Sequence, residues 1–260
     1  MKELRVSCVQ SSIEWEDKLR NLTHFYSLIS QLKGKSDVVV LPETFTTGFS
    51  MKASHLAETI EEDTIKTIKS WAQEFGFAIA GSFISKEDNN TLYNKAFFVT
   101  PEGDTYFYNK RHLFRMGEEN KVFSPGDTYS IINYKGWNIR LIVCYDLRFP
   151  VWIRNKNNEY DLLICVANWP KARAKVWSSL LVARAIENLC YVCGVNRVGE
   201  DGNGLKYQGD SLIIDYKGNA LAEAINDEES LLTVSVNKDK LNDFREKFPA
   251  WKDADDFTVL

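Results

Sequence analysis

The 260-residue chain has only three histidines, and its five cysteines are an odd number without the spacing of a small disulfide scaffold. The shortage of histidine argues against a histidine metal centre, because His24, His55 and His112 stand at spacings that match no metal motif. Neither a metal nor another cofactor is called for. The cysteine count argues against a disulfide framework and reads as a reducing, cytoplasmic compartment. Long apolar runs are missing too. Stretches such as Leu162 to Ala167 are far too short to span a bilayer. The start, Met1-Lys2-Glu3-Leu4-Arg5-Val6-Ser7-Cys8, mixes charge with apolar residues and has no h-region of a secretory signal. There is no long basic run, and the formal net charge is −4, so nucleic acid and anionic membrane are not expected partners.

What is present is core-forming material: 44% of residues are hydrophobic and 13% aromatic, enough for a large packed interior. Length alone admits one domain or two. No linker, low-complexity tract, charge block or short-period repeat divides the chain, so residues 1–260 are read as one domain. Leu4 to Gln10 alternates as a strand does. Leu19, Leu22, Phe25, Tyr26, Ile29 and Leu32 recur at helical spacing within Trp15 to Leu32. Val38 to Leu41 is a short buried-type strand stopped by Pro42, and a second helix fits Thr64 to Phe75. Phe77 to Ser85 and Tyr93 to Thr100 read as paired strands across a polar turn, followed by Thr105 to Asn109 and an irregular stretch to Asp127. The second half repeats the rhythm. Its strands are Ile139 to Cys144, Leu162 to Ala167, Tyr191 to Val198, Ser211 to Asp215, Leu221 to Ala224 and Leu231 to Val236. A short helix is expected from Val151 and a longer one over Val176 to Asn188. Alternating strands and helices imply a mixed α/β fold with helices covering sheets.

Three positions carry candidate chemistry. Cys144 ends an apolar strand and is followed by Tyr145-Asp146-Leu147-Arg148-Phe149-Pro150, with the proline at a plausible first helical position. A lone cysteine on such a strand is usually core, but a sharp strand-to-helix turn places this thiol at a sheet rim near helix-end N–H groups that favour thiolate. Glu43 follows Val38-Val39-Val40-Leu41-Pro42 at another strand end, where a carboxylate suits proton transfer, and Lys110 follows Thr105 to Asn109. Each alone reads as a strand-end or surface residue. Together they supply a nucleophile, a base and a fixed positive charge for an oxyanion, the parts needed to open an amide by covalent catalysis.

These motifs resemble the nitrilase, or carbon–nitrogen hydrolase, superfamily: Leu41-Pro42-Glu43, Lys110-Arg111-His112-Leu113 and Val143-Cys144-Tyr145-Asp146-Leu147-Arg148-Phe149-Pro150. The resemblance implies Glu43 as general base, Lys110 as oxyanion partner, Cys144 as the thioester-forming nucleophile and the Tyr145 N–H as second oxyanion donor. It also implies a further Glu ahead of a Pro-Gly turn. Glu119, six residues before Pro125, fits that spacing best, and its neighbour Glu118 stays open. Pro42-Glu43-Thr44-Phe45-Thr46-Thr47-Gly48, His112-Leu113-Phe114-Arg115-Met116, and Ala167-Asn168-Trp169-Pro170 with Arg173 and Trp177 look like the omega-amidase branch, which hydrolyses 2-oxoglutaramate. The fold so implied is a four-layer αββα sandwich, paired into at least a dimer. The substrate so implied is a small amide with a distal carboxylate, for which Arg173 is the first candidate partner and Arg148 the second. Phe45 and Trp169 are candidate pocket aromatics.

Other readings compete. The same residues could serve another amide, an N-carbamoyl compound, a nitrile or deaminated glutathione. A cysteine protease would pair Cys144 with His112 but leaves Lys110 without a role. A binding protein with a decayed site would have lost a catalytic residue, and none is missing. Cys190-Tyr191-Val192-Cys193 straddles a helix end and an apolar strand and reads as core. Asp201-Gly202-Asn203-Gly204 lacks the other ligands of a calcium loop and reads as a turn.

Overall fold

The computed structural model describes residues 2–258. In chain order the first half runs β1 (Glu3–Gln10), α1 (Lys18–Ser30), β2 (Val38–Val40), α2 (Ala53–Leu56), α3 (Asp63–Phe75), β3 (Ala78–Lys86), β4 (Leu92–Val99), β5 (Thr105–Asn109) and α4 (Glu119–Val122). The second runs β6 (Ile132–Tyr134), β7 (Trp137–Val143), α5 (Pro150–Ile153), β8 (Leu162–Ala167), α6 (Ala174–Asn188), β9 (Tyr191–Asn196), β10 (Val198–Glu200), β11 (Lys206–Gln208), β12 (Leu212–Ile214), β13 (Ala220–Glu223), β14 (Ser230–Asn237) and α7 (Lys238–Lys247).

Two six-stranded sheets result, ordered β14-β1-β2-β3-β4-β5 and β13-β12-β9-β8-β7-β6. β1, β2 and β3 run parallel, as do β7, β8 and β9. Strand alternation assigns the layers. Val38 and Val40 of β2, Ala78 and Ala80 of β3, and Ala96 and Phe98 of β4 face the second sheet and share one core with it. Their neighbours Val39, Ile79, Phe97 and Val99 face the other way, onto Phe25 and Ile29 of α1 and Ile65, Ile68 and Ala72 of α3. Trp177, Leu181 and Ala185 of α6 and Leu241 of α7 cover the second sheet. The order is helices, sheet, sheet, helices: the four-layer αββα sandwich. Each fully buried aliphatic side chain in these layers contributes about 1.5–3 kcal/mol. At Gly194 a Cβ would lie 2.4 Å from Leu181, so glycine is what lets α6 sit close on β9.

Several element ends have local causes. Asp17 caps α1 by accepting from the Arg20 N–H at 3.1 Å, which starts that helix after Trp15. Gly76, at φ +74°, ends α3 in the left-handed region. Pro150 opens α5. The expected strand Tyr191 to Val198 divides into β9 and β10 at Arg197, whose guanidinium bonds the carbonyls of Ile13, Val198 and Glu200. Leu231 to Val236 does not extend the second sheet. It crosses to pair antiparallel with β1 at the edge of the first. Cys190 and Cys193 are buried, and Cys193 Sγ meets Cys8 Sγ at 3.3 Å between the sheets, so the CxxC spacing is core.

A salt bridge also ties the two sheets. Asp37, just before β2, accepts from Arg5 Nε at 3.1 Å and from Lys135 Nζ, in the β6–β7 turn, at 2.6 Å. Burial alone would raise the Asp37 carboxyl, but these hydrogen bonds outweigh it and hold its pKa down to about 2, from an ordinary 3.8. A depressed carboxylate stabilises the fold above its ordinary pKa, and that contribution is lost as pH falls through the folded value. Asp37→Asn is expected to cost about 1 kcal/mol near neutral pH. The gap to the unmodified protein should close between pH 3.8 and about 2. Urea midpoints measured across that window check this, and a gap that persists at the acid end contradicts it.

Candidate active site

The candidate residues gather where strands end. Glu43 follows β2, Lys110 follows β5, Cys144 follows β7 and Asn168 follows β8. The C-terminal edges of parallel strands are where α/β sheets open their crevices. Lys110 Nζ donates to Glu43 Oε1 at 2.9 Å and to Glu119 Oε1 at 3.0 Å, with all three side chains essentially sealed from solvent. The structure therefore brings Glu119 to the ammonium. Glu118 is exposed and pairs with Lys121. Glu119 is delivered by a return of the chain: the Phe114 N–H donates to its Oε2 at 2.6 Å, and the Gly126 N–H donates to the Lys110 carbonyl at 2.9 Å. A Cβ at Gly126 would sit 2.1 Å from the Asn109 carbonyl, so the Pro125-Gly126 turn needs glycine to close against β5.

Asn94 and Asn168 complete the cage. Asn94 Nδ2 donates to Glu43 Oε1 at 2.7 Å and to Glu119 Oε1 at 3.4 Å. The Asn168 N–H donates to Glu43 Oε2 at 2.7 Å, and its side chain donates to the Glu43 carbonyl at 2.7 Å. Cys144 Sγ lies 3.9 Å from the Asn168 carbonyl, so one residue touches both the carboxylate and the thiol. Asn94 had not been singled out from the sequence. It lies on the stripe that Ala96 and Phe98 continue, and its burial there is set by the fold.

The turn under the thiol is tightly held. Cys144 has φ +45°, a left-handed conformation rare for a non-glycine residue, at the start of a 3-10 turn (Cys144–Arg148). Asp146, fully buried, accepts from the Val143 N–H at 3.0 Å, the Tyr108 hydroxyl at 2.8 Å and the His112 N–H at 2.9 Å. His112 Nδ1 also meets Asp146 Oδ1 at 2.8 Å, and its ring stacks on Phe149 at 3.8 Å. His112 thus serves the turn, which leaves the protease pairing without its base. Asp146 is held by these groups and not by Arg148.

Electrostatics set the resting state. Burial alone would lower the Lys110 pKa, but Glu119 and Glu43 outweigh it and hold the ammonium above its ordinary range. Burial and repulsion from Glu43 outweigh the pull of Lys110 and raise Glu119. Burial, then the charge of Glu43, pushes the Cys144 thiol well up. The helix-end N–H groups do not make it a resting thiolate, so attack requires a base at the moment of reaction.

Above this floor opens a cleft of about 270 Å³, lined by Lys110, Cys144, Arg148, Trp169, Arg173 and Tyr207 among others. Arg148 lies 5.0 Å from the Trp169 ring and Arg173 lies 5.1 Å from the Phe114 ring, and neither has a carboxylate partner among the described residues. Phe45, expected in the pocket, is fully buried against Phe25 and Phe97 and does not line the cleft. Thr44, at φ +43°, turns the chain between Glu43 and Phe45 and sends the ring into the core. Among the described residues, no group of three or more His, Cys, Asp or Glu could hold a metal ion, and no helix is long and apolar enough to cross a membrane.

The carbon–nitrogen hydrolase family model matches residues 5–246. The chain belongs to the carbon–nitrogen hydrolase family. It is a hydrolase of C–N bonds. It is 43% identical to the omega-amidase YafV of Escherichia coli K12, with all of both chains covered. It is 32% identical to the 2-oxoglutaramate amidase of Bacillus subtilis over 95% of this chain and 96% of that one. It superimposes with a TM-score of 0.97, at 43% identity and full coverage of both chains, on the crystal structure of XC1258 from Xanthomonas campestris. That structure is of a CN-hydrolase superfamily protein with an arsenic adduct in its active site.

Proposed function

We propose that the protein is an omega-amidase that hydrolyses the terminal amide of a short 2-oxo dicarboxylic acid monoamide, such as 2-oxoglutaramate, to the acid and ammonia. The observation that carries the reading is the presence, in one cleft with a nucleophile, of two arginines that have no carboxylate partner among the described residues. Cys144 and Lys110 sit at the floor, and Arg148 and Arg173 line the same space. A substrate with a neutral amide at one end and a carboxylate at the other matches that division. A guanidinium binds a carboxylate in a forked pair and fixes which end reaches the thiol.

The chemistry follows from the cage. Cys144 Sγ attacks the amide carbon while Glu43 takes the thiol proton. Lys110 Nζ and the Tyr145 N–H hold the oxygen as it gains charge. Glu43 returns the proton to the nitrogen, the C–N bond breaks and ammonia leaves a thioester. Water, deprotonated by Glu43, attacks the thioester carbon. The C–S bond breaks, the thiolate recovers its proton and the acid departs. Glu119 holds Lys110 and does not exchange protons with substrate in this scheme.

The whole chain is proposed to act as one hydrolase unit, working as a homodimer in the cytoplasm. Its five free cysteines fit a reducing compartment.

Ammonia release measured across 2-oxo amides, free glutamine and asparagine, and nitriles tests the reading. Preference for 2-oxoglutaramate is expected, and preference for neutral nitriles overturns it. Arg173→Met is expected to raise KM for 2-oxo acid amides about tenfold or more and to narrow the gap to uncharged amides. Equal loss on charged and uncharged substrates removes Arg173 from this role.

A further inference from the structure

The cleft lining is lopsided in charge. Lys110, Arg148 and Arg173 line it, and Asp201 is the one carboxylate among the described residues that does. Glu43 and Glu119 lie beneath and are engaged with Lys110. Asp201 belongs to the turn between β10 and β11. Its Oδ1 accepts from the Asn203 N–H at 2.8 Å and from the Leu205 N–H at 3.1 Å. Its Oδ2 accepts from the Tyr207 hydroxyl at 2.7 Å. Tyr207 is 2% exposed and itself lines the cleft. Arg197 lies 4.8 Å from its ring, and burial followed by the bond to Asp201 raises the phenol well above its ordinary pKa, so it remains a donor. The turn is stiff: Asp201 and Leu205 also exchange a backbone bond, and a Cβ at Gly202 would lie 2.3 Å from Trp15. Both oxygens of the carboxylate are therefore engaged, Oδ1 from within the turn and Oδ2 from β11.

We propose that Tyr207 is a specificity-determining residue: by donating its hydroxyl to Asp201 Oδ2, beside the two backbone N–H groups on Oδ1, it engages the one non-catalytic carboxylate among the described residues of the cleft, so that a substrate bearing an α-ammonium finds no free carboxylate there to pair with directly. This rests on the omega-amidase reading and adds the basis on which that site rejects amino-acid amides. A 2-oxo group brings no charge and needs none. The ammonium of glutamine would stand beside guanidiniums that attract its carboxylate and repel it, and it would lose water without gaining a free carboxylate to bond. Three donors already occupy most of the roughly four acceptor positions of Asp201, so an entering ammonium gains at most one bond there unless it displaces one of them.

The test has two arms. In the unmodified protein, kcat/KM is measured for the 2-oxo, 2-hydroxy and 2-amino forms of the same five-carbon amide acid. The 2-hydroxy compound, uncharged at that carbon, is expected to exceed the 2-amino compound about tenfold or more. Equally poor turnover of both means that the site reads the carbonyl rather than the charge, which overturns the proposal. Failure of all three while another amide is hydrolysed instead defeats the omega-amidase reading itself. In the second arm, Tyr207→Phe keeps the ring and frees Asp201 Oδ2. The ratio of kcat/KM for the 2-oxo over the 2-amino substrate is expected to fall about tenfold, chiefly through a lower KM for the amine. Adding Asp201→Asn should restore the ratio. A loss shared equally by both substrates assigns Tyr207 a structural role only and overturns the proposal. If Tyr207→Phe does not fold, the first arm decides alone.

Discussion

Cys144→Ala is expected to abolish turnover, by about ten-thousandfold or more, while leaving the fold intact. Chemistry without the thiol would need water to attack an unactivated amide directly. The fold should survive because the pins of the turn belong to Asp146, not to the sulfur: the Val143 N–H, the Tyr108 hydroxyl and the His112 N–H all converge on that carboxylate. Cys144 is also only partly buried, so removing its sulfur leaves no sealed cavity. Ammonia release and a thermal melt on the same preparation check both halves. Full activity in the alanine variant rejects the mechanism.

Glu43→Gln and Lys110→Ala are each expected to lower kcat by about a hundredfold or more, and the double variant by much less than the product. The reason is geometric. Glu43 Oε1 is bonded to Lys110 Nζ and Oε2 to the Asn168 N–H, so base and oxyanion partner form one hydrogen-bonded body. Glu43→Gln keeps the shape but removes the proton acceptor. Lys110→Ala does more, because it leaves two buried carboxylates facing each other, and the cost of an uncompensated buried charge is about 3–5 kcal/mol. Its melting temperature should fall alongside its activity, whereas that of Glu43→Gln should fall less. Glu119→Gln should impair turnover and Glu118→Gln should not, since only Glu119 reaches the ammonium. Steady-state kinetics on the five variants decide the matter, with fully additive losses arguing against a single catalytic unit.

The parts of this arrangement legible in the sequence were those that punctuate strands. Glu43, Lys110 and Cys144 each stand directly after an apolar or alternating run, and strand period reports the strand end. The same periods gave a mixed α/β fold with helices covering sheets, whereas the four αββα layers were implied only by the family resemblance; Val38-Val39-Val40 is buried on both faces because its sheet is covered on both sides. Asn94 was not legible. An asparagine inside a strand reads as any polar residue until the sheet order brings β4 beside β3 and places its amide at Glu43. Phe45 was a candidate pocket aromatic beside the catalytic Glu43, and the fold instead buries its ring between Phe25 and Phe97, a packing that no local pattern reports. The Asp201 turn was read as a turn, which it is, but its place on the cleft wall depends on the β10–β11 hairpin lying over the ends of distant strands. α7 escaped notice because its apolar face is little more than Leu241 and Phe244, and its remaining surface is charged.

The most direct measurement is the mass of the protein quenched in acid during turnover of 2-oxoglutaramate. An acyl adduct equal to the substrate minus ammonia is expected, on the peptide carrying Cys144 and absent from Cys144→Ala. Turnover with no adduct at any quench time, or an adduct on a different residue, would contradict a thioester at Cys144.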